Sequence, residues 1–244
     1  MLLEDRIQAN VEVWRERTQR LIREHGDFVI SNVTVSQIFS GIRGVPIQVS
    51  DISYVDADQG ILYRGYNLKE VLALLPKKPD HDYPLIGGLY YLLMGNEVPT
   101  LEHAIDIENE WIARSGVPDY VFKVIDSFPD SGSSMAMFSA AVVSMSSDSK
   151  FTRDYHSSTH KKEYWRSMLE DSLDLIARLP EITAYIYNKK YRNHEKTEIN
   201  PDLDFAGNFA QMIGKGDDLL YAELMRLFIL LHADHENANV SAHT

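Results

Sequence analysis

Between Ser133 and Ser147 the chain reads Ser-Ser-Met-Ala-Met-Phe-Ser-Ala-Ala-Val-Val-Ser-Met-Ser-Ser, with no charge until Asp148. A segment of this composition forms a helix with no polar face. Such a helix must lie in the centre of a core or be covered by a symmetry mate. Small residues on every side let neighbouring backbones approach closely. Both placements, core helix and dimer interface, follow from this segment.

The rest of the chain sets the company this helix keeps. Residues 3–24 place Leu3, Ile7, Val11, Trp14, Leu21 and Ile22 at helical spacing, and His25-Gly26 ends the run. A short helix is expected from Thr34 to Phe39. The single β signal is near residues 45–64, where short apolar runs flank Asp56-Ala-Asp-Gln-Gly60. Helices then follow to the end. Asn67 caps one to Leu75, Pro84 opens one to Met94, Thr100 caps one to Ala113, and Pro118 opens one to Ser127. Beyond the charge-free helix come Glu163–Ala177, Pro180–Lys190, Asp204–Ile213 and Asp218–Leu231. Asn193–Pro201 reads as a polar loop. No internal repeat or low-complexity linker is visible, so the expected fold class is all-α, in one domain, with one small β-hairpin.

Composition removes several functions. The net charge of −12 argues against nucleic-acid binding, which needs a basic face. There is no cysteine, which excludes disulfides, thiolate catalysis and zinc–thiolate sites. No apolar run approaches the length needed to span a membrane. The first residues, Met-Leu-Leu-Glu-Asp-Arg-Ile-Gln, resemble neither a secretory signal nor a transit peptide. A cytoplasmic location is the expectation, with the mitochondrial matrix as the alternative if a presequence has been removed.

Four motifs carry chemistry or mimic it. Phe39-Ser-Gly-Ile-Arg-Gly-Val45 sets Arg43 between glycines, as a plain surface turn or as a contact to phosphate or carboxylate. Arg64, beside Gly65, reads mainly as a guanidinium satisfying carbonyls in a buried turn. Arg153-x-x-His156-x-x-x-His160-Lys-Lys162 is a basic stretch in an acidic chain: a solvated helix entry, or a patch for the phosphates of a nucleotide-like cofactor. The end of the chain, Leu231-His-Ala-Asp-His-Glu-Asn-Ala-Asn-Val-Ser-Ala-His-Thr244, is a dense polar cluster after an apolar helix. His232, His235 and His243 do not have the His-Glu-x-x-His spacing of a metalloprotease, and no metal is expected.

That terminal segment resembles the citrate synthase signature, in the form found in the long, mitochondrial-like branch. Gly41-Ile-Arg-Gly44, Tyr63-Arg-Gly-Tyr66, Leu74-Leu-Pro76, the apolar helix from Met135, Lys162-x-Tyr-Trp165, Leu173-x-Leu-Ile-Ala-x-Leu-Pro180 and Glu223-Leu-Met-Arg-Leu227 follow in that family's order. The resemblance implies a helical homodimer that condenses acetyl-CoA with oxaloacetate to give citrate and CoA. It implies that residues 1–244 form an incomplete large domain. The family's catalytic His, His and Asp then lie beyond Thr244, so no catalytic residue is expected within this chain. By resemblance, His235 contacts oxaloacetate with Asn239 and Ser241 beside it, while Arg43 and Lys161 face the CoA phosphates. His232 is left as structural. Acetyl-CoA is a cosubstrate, and no permanently bound cofactor is implied. The segment Ser133–Ser147 falls at the dimer interface. A non-catalytic structural or interaction protein on the same helices, and a 2-methylcitrate synthase, are the alternatives.

Overall fold

A computed structural model describes residues 2–41, 44–46, 49–194 and 198–234. By its internal contacts the chain divides into two units. One comprises Met1–Val71, Leu93–Asn96 and Asp234–Thr244; the other comprises Leu72–Leu92 and Glu97–Ala233.

In the first unit, helix α1 (Leu2–His25) buries Leu3 and Ile7, while Val13, Leu21 and Ile22 stay exposed. Its amino-terminal half is tied down by two side chains on one carbonyl: Arg6 Nε and Asn10 Nδ2 donate to Gly95 O at 3.1 and 2.6 Å. Helix α2 (Val35–Phe39) begins with a reciprocal cap between Thr34 and Gln37, which satisfies backbone donors that a helix start leaves open. The β signal becomes a three-stranded antiparallel meander of β1 (Ser53–Asp56), β2 (Gly60–Tyr63) and β3 (Tyr66–Asn67). Ser53 pairs with Tyr63 and Asp56 with Gly60. Asp56 Oδ1 accepts from the Asp58 and Gln59 amides, both at 2.9 Å, and closes the first turn. Among the described residues the hairpin expected over 45–64 thus starts at Ser53 and gains a third strand. That strand depends on a two-residue turn with both residues left-handed, Arg64 at φ 51° and Gly65 at φ 86°. This twist suits a tight hairpin, but asparagine or glycine normally supplies its first residue.

Helix α3 (Leu68–Leu74) is capped by Asn67 Oδ1, which accepts from Lys69 and Glu70 amides at 3.0 and 3.1 Å. The second unit contains most of α4 (Ile86–Gly95), then α5 (Leu101–Arg114), α6 (Asp119–Asp126), α7 (Ser134–Ser144), α8 (Lys150–Tyr155), α9 (Tyr164–Tyr191), α10 (Phe205–Met212) and α11 (Leu219–His232). A Cβ added at Gly87 would stand 2.5 Å from Ala104 O, so α4 and α5 approach as closely as they do only because position 87 is glycine. Val121, Ile125, Met137, Ala141, Met145, Ile182 and Ile186 form a core shared by α6, α7, the short 3₁₀ turn after α7, and α9.

Two expectations are corrected. The pair Glu163–Ala177 and Pro180–Lys190 is one 28-residue helix. Proline removes one backbone donor and would ordinarily end or kink a helix. Here Leu173, Ala177, Pro180, Ala184 and Ile186 are all buried, and that burial outweighs one lost hydrogen bond. The charge-free helix is not buried on all sides. Met137 and Ala141 are in the core, whereas Met135 and Val143 are 68% and 69% exposed. Of the basic stretch Arg153–Lys162, Arg153 belongs to a short helix, Lys150–Tyr155, capped by Ser149.

Candidate functional site

Of the residues expected to meet substrate, Arg43, His235, Asn239 and Ser241 lie outside the described residues. Lys161 is described. It sits in a 3₁₀ turn, Lys161–Glu163, between α8 and α9, and is exposed. His160 caps that turn, its Nδ1 accepting from the Lys162 amide at 3.2 Å. Arg153, His156, His160 and Lys162 are exposed on the same stretch. Arg166 follows one turn later, pairing with Glu163 at 3.1 Å and lying 4.6 Å from the Trp165 ring. The geometry is a cationic face that water can reach, suited to an anionic group but built for no single one.

The helix that leads into the terminal motif is held far more tightly. Within the second unit, Arg226 of α11 donates to Asp204 through Nε at 2.6 Å and through one Nη at 2.9 Å, and to Glu223 at 2.6 Å. Its second contact from that Nη is to His81 Nε2 at 3.3 Å. Glu223 accepts the Tyr83 amide at 3.0 Å, and Asp204 caps α10 by accepting from Gly207. Arg226, Asp204 and Glu223 are each at least nine-tenths buried. Burial alone would raise the Asp204 carboxyl, but the Arg226 hydrogen bonds and charge outweigh it and hold Asp204 below its ordinary range. For His81, burial and then the Arg226 charge lower the imidazole pKa, against the opposing charges of Asp204, Asp80 and Glu223. Glu108 of α5 lies next to this group and is buried. Its two oxygens accept the Gly87 and Phe205 amides at 2.8 and 2.7 Å. Burial and the Asp204 charge nevertheless push it up to about 7.

Apart from His81 Nδ1, which is buried without a hydrogen-bond partner, these five side chains engage one another and helix ends. They form an anchor for α10 and α11 rather than a reaction centre. Sequence reasoning missed the cluster, although a Glu and an Arg three residues apart inside an apolar helical run were its visible sign. At the end of α11, His232 Nδ1 lies 2.7 Å from Phe228 O and the imidazole stacks on the Phe228 ring at 4.2 Å. The ring is thus engaged with its own helix, in keeping with the structural role expected for it.

In the first unit, Arg64 is the densest polar junction. Its side chain is 8% exposed. Nε and one Nη donate to the Leu93 carbonyl in the last turn of α4, and the other Nη meets Asp51 Oδ1 at 2.7 Å. Burial lowers the guanidinium's pKa; Asp51, and after it Asp234, act in the opposite direction. The expectation that Arg64 satisfies a carbonyl in a turn is met, and the carbonyl is that of a helix terminus.

A cleft of about 150 Å³ lies elsewhere, between α7, the 3₁₀ turn after it and α9, near Met145, Asp148, Asp174 and Arg178. It includes none of the expected site residues. Among the described residues no group of three or more His, Asp or Glu could hold a metal ion, and no helix is long and apolar enough to cross a membrane.

A family model described as citrate synthase, C-terminal domain, matches residues 41–244. The chain is 40% identical over 243 residues to the probable mitochondrial citrate synthase of Glossina morsitans morsitans, covering 99% of this chain and 52% of that protein. It is 42% identical over 229 residues to the mitochondrial citrate synthase of Neurospora crassa, covering 94% and 49%. Among solved structures, the citrate synthase of Pyrobaculum aerophilum superposes with a TM-score of 0.70 at 26% identity, covering 81% of this chain and 47% of that one. The chain therefore spans about half the length of the curated relatives it matches. With most of its length matched by the family model and nearly all of it by relatives at about this identity, the chain belongs to the citrate synthase family.

Proposed function

We propose that this chain supplies part of the active site of an enzyme that condenses acetyl-CoA with oxaloacetate to give citrate and CoA. The observation that carries this reading is the match to citrate synthases along 99% of the chain, terminal His-Ala-Asp-His motif included. In this reading residues 1–244 are the first part of the large domain. The acid–base residues that form the enol of the acetyl group are supplied from outside them. The chain's own contribution is binding and orientation. His235 donates a hydrogen bond to oxaloacetate, a task for which imidazole is suited in either charge state. Asn239 and Ser241 support it. Arg43 and Lys161 face the CoA phosphates, Arg43 with a planar fork and Lys161 as a point charge. The exposed cationic stretch around Lys161 supports that assignment. The chemistry calls for no metal and no resident cofactor.

Assembly as a homodimer is part of the proposal. Its support is the outward face of α7, with Met135 and Val143 exposed, and the outer stripe of α11, where Leu220, Leu224 and Phe228 are 77%, 51% and 52% exposed. Apolar faces of this kind, left in water, lower solubility and are ordinarily covered. The relatives above carry "mitochondrial" in their names, which supports the matrix as the site of action over the cytoplasm.

Calorimetric titration tests the reading on the intact protein that carries this chain. Replacing His235 by alanine should weaken oxaloacetate binding by roughly 1.5–3 kcal/mol, the usual loss for a hydrogen bond to a charged group, with acetyl-CoA affinity nearly unchanged. Replacing Arg43 by alanine should do the reverse. Undiminished oxaloacetate binding by His235→Ala would overturn the assignment. The 244-residue chain on its own should release no CoA from acetyl-CoA and oxaloacetate, and turnover at an enzymatic rate would refute the division of the site.

A further inference from the structure

The stretch between α3 and α4, residues 75–85, contains no helix or strand, yet it is fastened to α11 at two points. The Tyr83 amide donates to Glu223 Oε2 at 3.0 Å, and His81 Nε2 lies 3.3 Å from an Nη of Arg226. Both fastenings fall on the buried Arg226 cluster. Within the loop the Leu85 amide donates to Pro76 O and the His81 amide to Lys78 O, each at 3.1 Å, so the loop has a shape of its own. The neighbouring acids Asp80 and Asp82 are exposed, whereas the His81 side chain between them is only 11% exposed. The imidazole is turned inward from a loop whose adjacent carboxylates face water.

A guanidinium has N–H donors and no acceptor. Those of Arg226 go to Asp204 and Glu223, and the contact with His81 takes a further one. It must run from the guanidinium to a bare imidazole nitrogen, so Nε2 carries no proton and Nδ1 does. Nδ1 is buried without a hydrogen-bond partner, and Asp204 Oδ2, at 4.0 Å, is out of reach. A second proton, added at Nε2, would replace an acceptor by a donor and set two cations face to face at 3.3 Å. Asp80, 3.9 Å from Nε2 on the same loop, Asp204 at the head of α10 and Glu223 of α11 favour the added proton. Burial and Arg226 oppose it and prevail, so the imidazole pKa stands below its ordinary 6.5. The remaining charged groups of the cluster are Glu108 of α5, which feels Asp204, and Lys78 of the loop, which acts on Glu108.

We propose that His81 is a proton-operated latch: neutral, it accepts from Arg226 and straps the loop between α3 and α4 to α11; protonated, it can only donate, and the loop lets go. The cluster beneath needs no rearrangement, because Asp204 and Glu223 keep hold of the guanidinium. In the released loop the imidazole is hydrated and titrates near its ordinary 6.5, so protons bind the released state in preference. The latch is shut above about 6.5 and weakens as pH falls below it. The released fraction rises by up to about tenfold per pH unit until the latched ring itself titrates. Glu108 acts with the opposite sign, since its folded pKa of about 7 makes acidification from neutrality stabilising. The latch does not depend on the functional reading above.

The test is amide hydrogen exchange on the intact protein that carries this chain. The Tyr83 amide, bonded to Glu223, is the reporter, and the amide of buried Ile182 inside α9 is the reference. After correction for the intrinsic exchange rate, Tyr83 protection should fall by up to about tenfold between about pH 6.5 and 5.5, while Ile182 protection does not fall. His81→Gln puts a carboxamide oxygen close to where Nε2 stood and cannot titrate, so its Tyr83 protection should stay level. Glu108→Gln should keep the fall. A fall that survives in His81→Gln, one that disappears in Glu108→Gln, or level protection in the parent would overturn the proposal. If His81→Gln fails to fold, ¹⁵N-imidazole spectra of the parent decide. A bare Nε2 beside a protonated Nδ1 at neutral pH, becoming imidazolium in step with the loss of Tyr83 protection, supports the latch. Any other protonation state at neutral pH refutes it.

Discussion

Two ion clusters in the second unit use the same chemistry at different depths. Around Arg226, the partners Asp204 and Glu223 have side chains only 2% and 11% exposed. Around Arg114, the partners Glu110, Glu170 and Asp174 lie at 2.7–2.9 Å with side chains 33%, 34% and 23% exposed, and Lys150 joins Glu170 and Asp174 from the other side. Burial works against the Arg114 charge, and the hydrogen bonds from Glu170, Asp174 and Glu110 more than reverse it, raising its pKa. Both networks look equally complete when drawn as distances. Depth separates them. Removing the cation from the buried cluster leaves two carboxylates with no water to turn to, whereas the carboxylates of the shallower one can rehydrate.

The largest effect should come from Arg226→Met. It should cost about 3–5 kcal/mol, read as a lowered denaturation midpoint, because Asp204 and Glu223 are left buried and unpaired. A loss below about 1 kcal/mol would show that water reaches the cluster, and the contrast of depth would fail.

Next is the proton on Glu108. Its folded pKa of about 7 lies above the ordinary 4.5, so the folded chain holds a proton that the unfolded chain releases. Stability should therefore fall as pH rises from about 4.5 through 7, by on the order of 2–3 kcal/mol. Asp204 acts with the opposite sign. Its folded pKa is lowered, so its contribution is present above about 3.8 and is lost as pH falls through the folded value. Glu108→Gln should flatten the neutral limb of the stability–pH curve and leave the acid limb in place. A neutral limb of unchanged slope would remove Glu108 as its source.

Arg114→Ala should cost roughly 1 kcal/mol, and the cost should shrink further in high salt, since surface pairs are screened. Salt dependence as small as that of Arg226→Met would place the two clusters at the same effective depth. The smallest effect is expected where exposure is greatest. Arg15 pairs with Glu12 at 2.6 Å on α1, with the Glu12 side chain 67% exposed, and Arg15→Ala should change stability by no more than about 0.5 kcal/mol.

Local chemistry was legible residue by residue. Thr34, Asn67, Thr100, Asp204 and Asp218 each accept an amide two or three residues on, and five helices begin where these residues stand. The turn made by Asp56 to Gly60 was legible for the same reason. The candidate site was legible as a motif, because its histidines and acids are close in sequence. The buried polar junctions were not, because Arg64, Asp51 and Leu93 are distant along the chain, as are Asp204, Arg226 and Glu108.

The sequence by itself therefore determined the helical class, the starts of the helices and the family, since each follows from periodicity, capping or adjacent residues. Tertiary structure alone decided that α9 runs through Pro180, that one side of α7 faces outward, that an arginine occupies a left-handed turn, and which acids share a buried cation. Each of these outcomes costs free energy locally. Each is adopted because burial and hydrogen bonding between residues far apart in the chain return more than the local cost.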